Sequence, residues 1–184
     1  MQTLHVFGYG SLVNRATHDF TQVRTARLAG WRRVWVFTSL RPVAYLSVEP
    51  AAGAIDGLLA EVPVAGRSEL DRREAAYDLH PVRAETRGAG IAAQVYAVAP
   101  RHIVPLDSGH RLLLSYIDTV AQGFFDHFGE AGAAHFFATT GGWQAPVIDD
   151  RAAPRYTRAR PPTRWQRDVI DAHLAALKVR VARA

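Results

Sequence analysis

The sequence predicts an α+β protein in which a mostly antiparallel sheet or barrel is flanked by helices. Short segments rich in Val and aromatic residues end at Gly, Pro or polar residues, and three other segments carry helix-start signals or apolar residues at helical spacing. At 184 residues and 48% hydrophobic, the chain can bury a core. We expect one domain over residues 1–150, with residues 151–184 as an Arg-rich extension whose helix packs on that domain.

The predicted strands are short apolar runs. The first, residues 4–7, leads into the glycine turn Gly8-Tyr9-Gly10-Ser11. Four more are expected at residues 31–37, 43–48, 54–62 and 91–98. Several short strands separated by turn signals are typical of an antiparallel sheet or barrel.

The first predicted helix covers about residues 69–77. Ser68 precedes it as an N-cap, and an acid, Asp71, stands at the third helical position. Leu70, Glu74 and Tyr77 are spaced at i, i+4 and i+7, so they share one face of such a helix. We expect this face to turn inward.

The second predicted helix begins near Asp107 or Ser108 and stops at Gly129, a common residue just after a helix end. Its apolar residues form one stripe: Leu113, Ile117, Val120, Phe124 and Phe128. This spacing predicts a core helix.

The third predicted helix follows Pro161-Pro162. Thr163 is its N-cap, and Gln166 stands three residues later, as in a capping box. One face carries the apolar residues Ile170, Leu174, Leu177 and Val181. We expect this face to dock on the sheet or barrel.

Composition excludes several classes of site. The absence of cysteine rules out disulfides, thiolate nucleophiles and Cys-based metal sites. No window approaches the roughly 18 apolar residues that a membrane-spanning helix needs, and the first residues do not form a signal peptide. The expectation is a cytoplasmic protein without a membrane partner.

The positive charge is concentrated at the end of the chain. The net charge is +5, and residues 151–184 hold nine Lys or Arg against Asp168 and Asp171, which makes this segment +7 and residues 1–150 −2. Such a segment could attract a polyanion, yet charge runs are usually solvated or paired surfaces. Nucleic acid is therefore not the expected partner.

Glu74 is the first candidate for chemistry. On an inward face among apolar neighbours, desolvation would raise the pKa of its carboxyl group. A pKa nearer neutrality suits a group that takes up and returns protons. The alternative is a partly exposed Glu that pairs with an Arg.

The glycine turn is the second candidate. Two glycines at a strand end let backbone N–H groups converge on an anion or a developing oxyanion. A dinucleotide fingerprint would need glycine where Val13 stands and an acid about 20 residues on. The sequence therefore does not indicate a Rossmann site.

Other catalytic machinery lacks its motifs. The single lysine, Lys178, lies far from any phosphate-loop position, and Ser11 is not set in the Gly-x-Ser-x-Gly of a nucleophile elbow. No two of the eight histidines stand two to four residues apart, as local metal ligands commonly do. His110 and His127 are more typical of structural histidines, and no metal is expected.

Taken together, Tyr9-Gly10-Ser11-Leu12 after the first strand and Leu70-Asp71-Arg72-Arg73-Glu74 followed by Tyr77 resemble the gamma-glutamylcyclotransferase-like family. The resemblance is clearest over residues 1 to about 100, and residues 115–128 and Pro154-Arg155-Tyr156 look like those of longer bacterial members. It implies a small β-barrel with flanking helices.

The resemblance also implies a role for each matched residue. Glu74 would be the catalytic acid/base, and Tyr9, Gly10, Ser11 and Leu12 would form the loop that holds a small-molecule gamma-glutamyl substrate, with Tyr77 beside it. The implied reaction releases 5-oxoproline by attack of the substrate's own α-amine and needs no cofactor.

Two other functions stay open at this stage. A non-catalytic or regulatory protein on the same scaffold could bind a small acid or amide without turning it over. A polyanion-binding adaptor could use the basic segment 151–184. The leaving group of the substrate and the oligomeric state are also left open.

Overall fold

The computed structural model of the protein describes residues 3–20, 22–63, 74–107 and 109–183. Five long strands come first: β1 (Thr3–Gly8), β2 (Val23–Thr38), β3 (Arg41–Pro63), β4 (Tyr77–Thr86) and β5 (Ala89–Val98). The remainder holds five short strands and two helices: β6 (Ile103–Val104), β7 (Leu112–Leu113), α1 (Leu114–Thr139), β8 (Thr140–Gly141), β9 (Val147–Asp149), α2 (Arg164–Ala176) and β10 (Val181–Arg183). Short 3₁₀ turns span Ser11–Val13, Arg15–Thr17 and Pro100–His102.

The five long strands close into a barrel. They are hydrogen-bonded in the order β3-β1-β5-β4-β2, and β2 pairs back onto β3. The β1–β5 pairing is parallel, and the other four pairings are antiparallel. The predicted mostly antiparallel barrel with flanking helices is therefore confirmed.

Strands β2 and β3 are longer than the predicted segments. The predicted strands 43–48 and 54–62 are two parts of β3, and β2 extends the predicted 31–37 strand back to Val23. The two strands pair from Val23 opposite Ala60 to Thr38 opposite Arg41, with register shifts between Ala29 and Trp31 and between Val36 and Thr38. Such irregularities let long strands bend around a barrel.

The core lies between the barrel and α1. The barrel strands contribute fully buried apolar residues, among them Phe7, Leu28, Leu46, Ile55, Leu58 and Leu59. Helix α1 adds Ile117, Val120 and Phe124 from the predicted stripe, with Phe136 and Phe137 from its second half. Burial of this apolar surface supplies the main favourable free energy of folding.

The start predicted for the second helix is wrong, and its stop is only a kink. Helix α1 begins at Leu114, because Leu112 and Leu113 instead pair as strand β7 with β9. Asp107 lies in a turn in which its carboxylate accepts the Gly109 N–H, and Ser108 lies outside the described residues. Gly129 takes a left-handed conformation (φ 67°), and the helix then resumes to Thr139 because a second apolar face is buried there.

The first predicted helix does not extend to Tyr77. Residues 74–76 form a turn closed by the Tyr77 N–H on the Glu74 carbonyl (2.8 Å), and Tyr77 is the first residue of β4. Strand pairing decides this, since β4 runs antiparallel to β5 from Tyr77 opposite Val98 to Thr86 opposite Ala89. Residues 68–73, with the predicted cap Ser68 and Asp71, lie outside the described residues.

The cap of the third helix is confirmed. The Thr163 hydroxyl accepts the Gln166 N–H, and the Gln166 side chain accepts the Thr163 N–H, which completes the capping box. Ile170 and Leu174 are buried as predicted. The prediction is wrong for its last members, because Leu177 caps the helix end and Val181 lies in β10 with its side chain exposed.

Residues 151–183 contact the rest of the chain at several points. The Trp165 ring packs on Phe125, the His173 ring stacks on Phe137, and β10 pairs with β9. The division into a 1–150 domain and a 151–184 extension stays a prediction. Within the residues that the structure describes, no helix is both long and apolar enough to cross a membrane.

A buried ion pair also holds the segment after β9. Asp118 on α1 is 1% exposed, and both of its carboxylate oxygens accept hydrogen bonds of 2.8 Å from the Arg151 guanidinium. Arg151 also bonds to Asp171 on α2. The pair therefore ties α1 to the segment after β9 and to α2.

Replacing Asp118 with Ala should lower the melting temperature by about 10 °C. Loss of one partner leaves a largely buried guanidinium without its main counter-charge, which costs about 3 kcal/mol in a domain of this size. Thermal unfolding followed by circular dichroism measures the change. Asp78→Ala is the control, because Asp78 pairs with Arg101 at the surface, where such a pair is worth about 1 kcal/mol or less. Equal shifts in the two variants would contradict this account.

Candidate active site

The glycine turn connects β1 to a 3₁₀ turn. Strand β1 ends at Gly8, and the N–H of Val13 then donates to the Gly10 carbonyl (2.9 Å). The buried Asn14 side chain donates to the Thr119 carbonyl and to the Gln122 side chain on α1 (2.8 and 2.9 Å). The turn is therefore attached to the long helix directly after the glycines.

A buried arginine holds the turn from the other side. Arg33 on β2 is fully buried, and its Nε donates to the Tyr9 carbonyl (3.0 Å). The same guanidinium donates to the Asp56 carbonyl and to the Thr139 hydroxyl and lies 4.6 Å from the Phe124 ring centroid. Burial lowers the pKa of Arg33 to about 9, so the guanidinium remains charged at neutral pH.

The Tyr9 side chain belongs to the barrel wall. It is 6% exposed, and its hydroxyl donates to the Tyr96 carbonyl (2.6 Å). Burial raises the pKa of Tyr9 well above its usual value, and the nearby Glu74 carboxylate and Tyr116 add to the rise. The phenol therefore stays protonated and acts as a donor in the wall.

Glu74 lies in the turn that leads into β4. Two backbone hydrogen bonds hold the turn: the Tyr77 N–H donates to the Glu74 carbonyl, and the Ala99 N–H donates to the Ala76 carbonyl (3.0 Å). The Glu74 side chain is half-buried, and its charge is among the causes that raise the pKa values of Tyr9 and Tyr77. Its carboxylate is thus close to the glycine turn rather than out in solvent.

Tyr77 and its neighbours form an aromatic wall. The Tyr77 hydroxyl donates to the Leu46 carbonyl (3.0 Å), and burial raises the pKa of Tyr77 well above its usual value. The Tyr45 ring meets the Tyr77 ring edge-on, with centroids 5.8 Å apart. On the α1 side, the Tyr116 ring makes edge contacts with Trp35 and Tyr156. The rings give this part of the site a rigid apolar surface.

Two adjoining pockets meet at Glu74. The smaller, about 40 Å³, lies against the glycine turn, and the larger, about 280 Å³, opens beside it. The two pockets share five of their lining residues: Ser11, Leu46, Glu74, Tyr77 and Tyr116. The carboxyl group therefore lies at the junction of the two.

All six site residues predicted from the sequence line the smaller pocket: Tyr9, Gly10, Ser11, Leu12, Glu74 and Tyr77. The structure brings them together from two segments more than 60 positions apart in the chain. Their individual roles in binding and catalysis remain proposals.

Most residues of the larger pocket were not predicted from the sequence. Its additional lining comes from β2, β3, β7 and the segment after β9, including Trp35, Arg41, Tyr45, Leu113, Arg155, Tyr156 and Arg158. The sequence pointed to this pocket only through Pro154-Arg155-Tyr156, which resembles a segment of longer bacterial family members. Within the described ranges, no group of three or more His, Asp or Glu side chains is placed to hold a metal ion.

Comparison with known proteins identifies the family. A family model described as gamma-glutamyl cyclotransferase, AIG2-like, matches residues 6–113, a range that includes the glycine turn, Glu74 and Tyr77. The chain belongs to this family. The family resemblance seen in the sequence is therefore confirmed.

Solved structures show the same fold around the cyclotransferase-like core. A gamma-glutamyl cyclotransferase superposes with a TM-score of 0.59 at 14% identity, over 93% of this chain and 99% of that one. YkqA from Bacillus subtilis superposes with a TM-score of 0.58 at 19% identity. The match covers 77% of this chain but 57% of YkqA. A yeast gamma-glutamyl cyclotransferase specific to glutathione gives 0.50 at 15% identity, over 98% of both chains.

At these sequence identities the structural similarity shows a shared fold. It does not show that the chain acts on the substrates of those proteins. A search of curated protein sequences finds no match.

Proposed function

We propose that this protein is a cofactor-independent gamma-glutamyl cyclotransferase that releases 5-oxoproline from a gamma-glutamyl amide or peptide. The observation that supports it best is the common pocket of Glu74 and the glycine turn. Family membership supports the same class of reaction. In this proposal the gamma-glutamyl group occupies the smaller pocket and the amine to be released extends into the larger one.

The proposed reaction needs one proton-transfer group. The Glu74 carboxylate takes a proton from the substrate's α-ammonium group, and the neutral amine attacks the γ-carbonyl carbon. The new C–N bond closes the five-membered ring, and the original amide C–N bond breaks as protonated Glu74 gives its proton to the departing amine. The regenerated carboxylate then takes the second proton from the ring nitrogen, which leaves a neutral lactam, and passes it to the released amine, which departs as an ammonium ion. Because nucleophile and carbonyl belong to one molecule, the substrate itself supplies most of the proximity.

The turn and the tyrosines would position the substrate. The Gly10 to Leu12 amides are proposed to bind the gamma-glutamyl group and to stabilise charge on the carbonyl oxygen. Tyr9 and Tyr77 are protonated donors whose hydroxyls already bind backbone carbonyls, so their part is to shape the pocket and limit water around the carboxylate.

The direct test is an assay of 5-oxoproline release. The purified protein is incubated with glutathione, gamma-glutamyl amino acids and gamma-glutamyl amines, and 5-oxoproline is measured by chromatography. Release from at least one class is expected. Saturable binding of these compounds without release would instead favour a binding or regulatory protein on this fold.

Glu74→Gln should keep the fold and slow 5-oxoproline release by at least about 100-fold, because the amide cannot take up or return the proton. The matched control is Glu85→Gln, an exposed acid near the far end of β4, which should turn over like the wild type. Full activity of folded Glu74→Gln would remove Glu74 from the mechanism.

Gly10→Val should reduce kcat/KM by about 100-fold through displacement of the site rather than loss of a reacting group. A Cβ at Gly10 would lie 2.9 Å from the Tyr116 hydroxyl and 3.3 Å from Leu46 Cδ2, so the added side chain must push into the pocket. Steady-state kinetics measures the effect.

Gly141→Val is the control for this substitution, since a Cβ there meets its neighbours only at ordinary contact distances. Unchanged substrate affinity and turnover in folded Gly10→Val would argue against the turn as the substrate loop.

A further inference from the structure

The larger pocket is basic at its mouth. Three arginines line it among the described residues: Arg41 at the start of β3, and Arg155 and Arg158 in the segment after β9. All three are exposed. Glu74 is the acid in this part of the lining, so the described charged residues leave an excess of two positive charges.

Arg41 is held against the aromatic wall. Its guanidinium carbon lies 4.1 Å from the centroid of the Tyr45 ring, and that ring contacts Tyr77 edge-on. The positive charge of Arg41 also acts to lower the pKa of Tyr77, against the larger effect of burial. The arginine is therefore close to Tyr77, which lines both pockets.

The segment that carries Arg155 and Arg158 has a fixed backbone at this point. The buried Asp150 carboxylate accepts the Arg155 N–H (2.9 Å) and also the N–H and hydroxyl of Ser115 on α1 (2.8 and 2.6 Å). Two residues before Arg158, the Tyr156 ring contacts Tyr116 edge-on, with centroids 4.9 Å apart. These contacts set both arginines at the pocket mouth.

The charge of the substrate can be compared with this lining. A bound gamma-glutamyl group brings one ammonium and one carboxylate, so it leaves the two excess positive charges uncompensated. A leaving amine with two carboxylates would compensate both, and guanidinium groups bind carboxylates through paired, charge-assisted hydrogen bonds.

We propose that the larger pocket selects substrates whose leaving amine is an acidic amino acid with two carboxylates. Arg41, Arg155 and Arg158 determine this specificity. The inference rests on the proposed function, and it assigns a role to two cations of the Arg-rich segment.

The test uses three substrates of nearly equal shape: gamma-glutamyl-glutamate, gamma-glutamyl-glutamine and gamma-glutamyl-glutaminamide. Their leaving groups carry two, one and no carboxylates. Calorimetric titration into Glu74→Gln protein measures binding without turnover. The dissociation constant should rise about tenfold for each carboxylate removed, as expected for hydrogen bonds to charged groups.

The double variant Arg155→Ala, Arg158→Ala is made on the same Glu74→Gln background. Its dissociation constant for gamma-glutamyl-glutamate should rise about tenfold or more, and that for gamma-glutamyl-glutaminamide should change by no more than about twofold. Arg87→Ala is the control. It removes one positive charge, half of that lost in the double variant, from the turn at the other end of the β4–β5 hairpin, about 30 Å from Tyr77 by strand length.

Either of two binding patterns would overturn the inference. One is equal affinity for all three compounds. The other is an equal loss for all three in the double variant, because the arginines would then bind the carboxylate of the gamma-glutamyl group that the compounds share. Absence of binding by every compound would also overturn it.

The failure of this inference differs from the failure of the proposed function. Graded binding by Glu74→Gln with no 5-oxoproline released by the wild type would refute the cyclisation and retain the charge preference. Release at equal kcat/KM from all three compounds would support the cyclisation and refute the preference.

Discussion

The site depends on one buried cation. Arg33 lies in the barrel core, where an unpaired charge would be strongly unfavourable, yet its guanidinium binds the Tyr9 carbonyl, the Asp56 carbonyl and the Thr139 hydroxyl and stacks on Phe124. These partners belong to the glycine turn, β3 and α1. Because the guanidinium that makes these bonds is fully buried, the position of the turn relative to the barrel and the long helix is tightly specified.

The anchored turn fixes the arrangement of the two pockets. The turn carries one side of the smaller pocket, and the residues before β4 carry the other, with Glu74 where the two pockets meet. The pocket near the turn is walled by tyrosines whose hydroxyls bind backbone carbonyls. The larger pocket opens toward three arginines. One end of the cavity is thus aromatic, and the other is basic.

Local signals predicted local features well. The capping box of α2 and the strand that ends in a glycine turn are formed by neighbouring residues, so their energetics are contained in a few positions. The start of α1 and the nature of residues 74–77 were predicted wrongly because strand pairing across the chain decides them: β7 pairs with β9, and β4 pairs with β5. Helical spacing in a short segment cannot compete with a ten-residue antiparallel ladder.

The sequence by itself determined the fold class, the family and the six residues that line the smaller pocket, since these depend on contiguous patterns and on short motifs. Only the tertiary structure decided that Arg33 anchors the turn and that Arg41, Arg155 and Arg158 meet around one cavity. A buried charge needs hydrogen-bond partners, and a binding surface needs several side chains, and here distant segments of the chain supply both. Those segments approach one another only when the barrel closes and the helices pack against it.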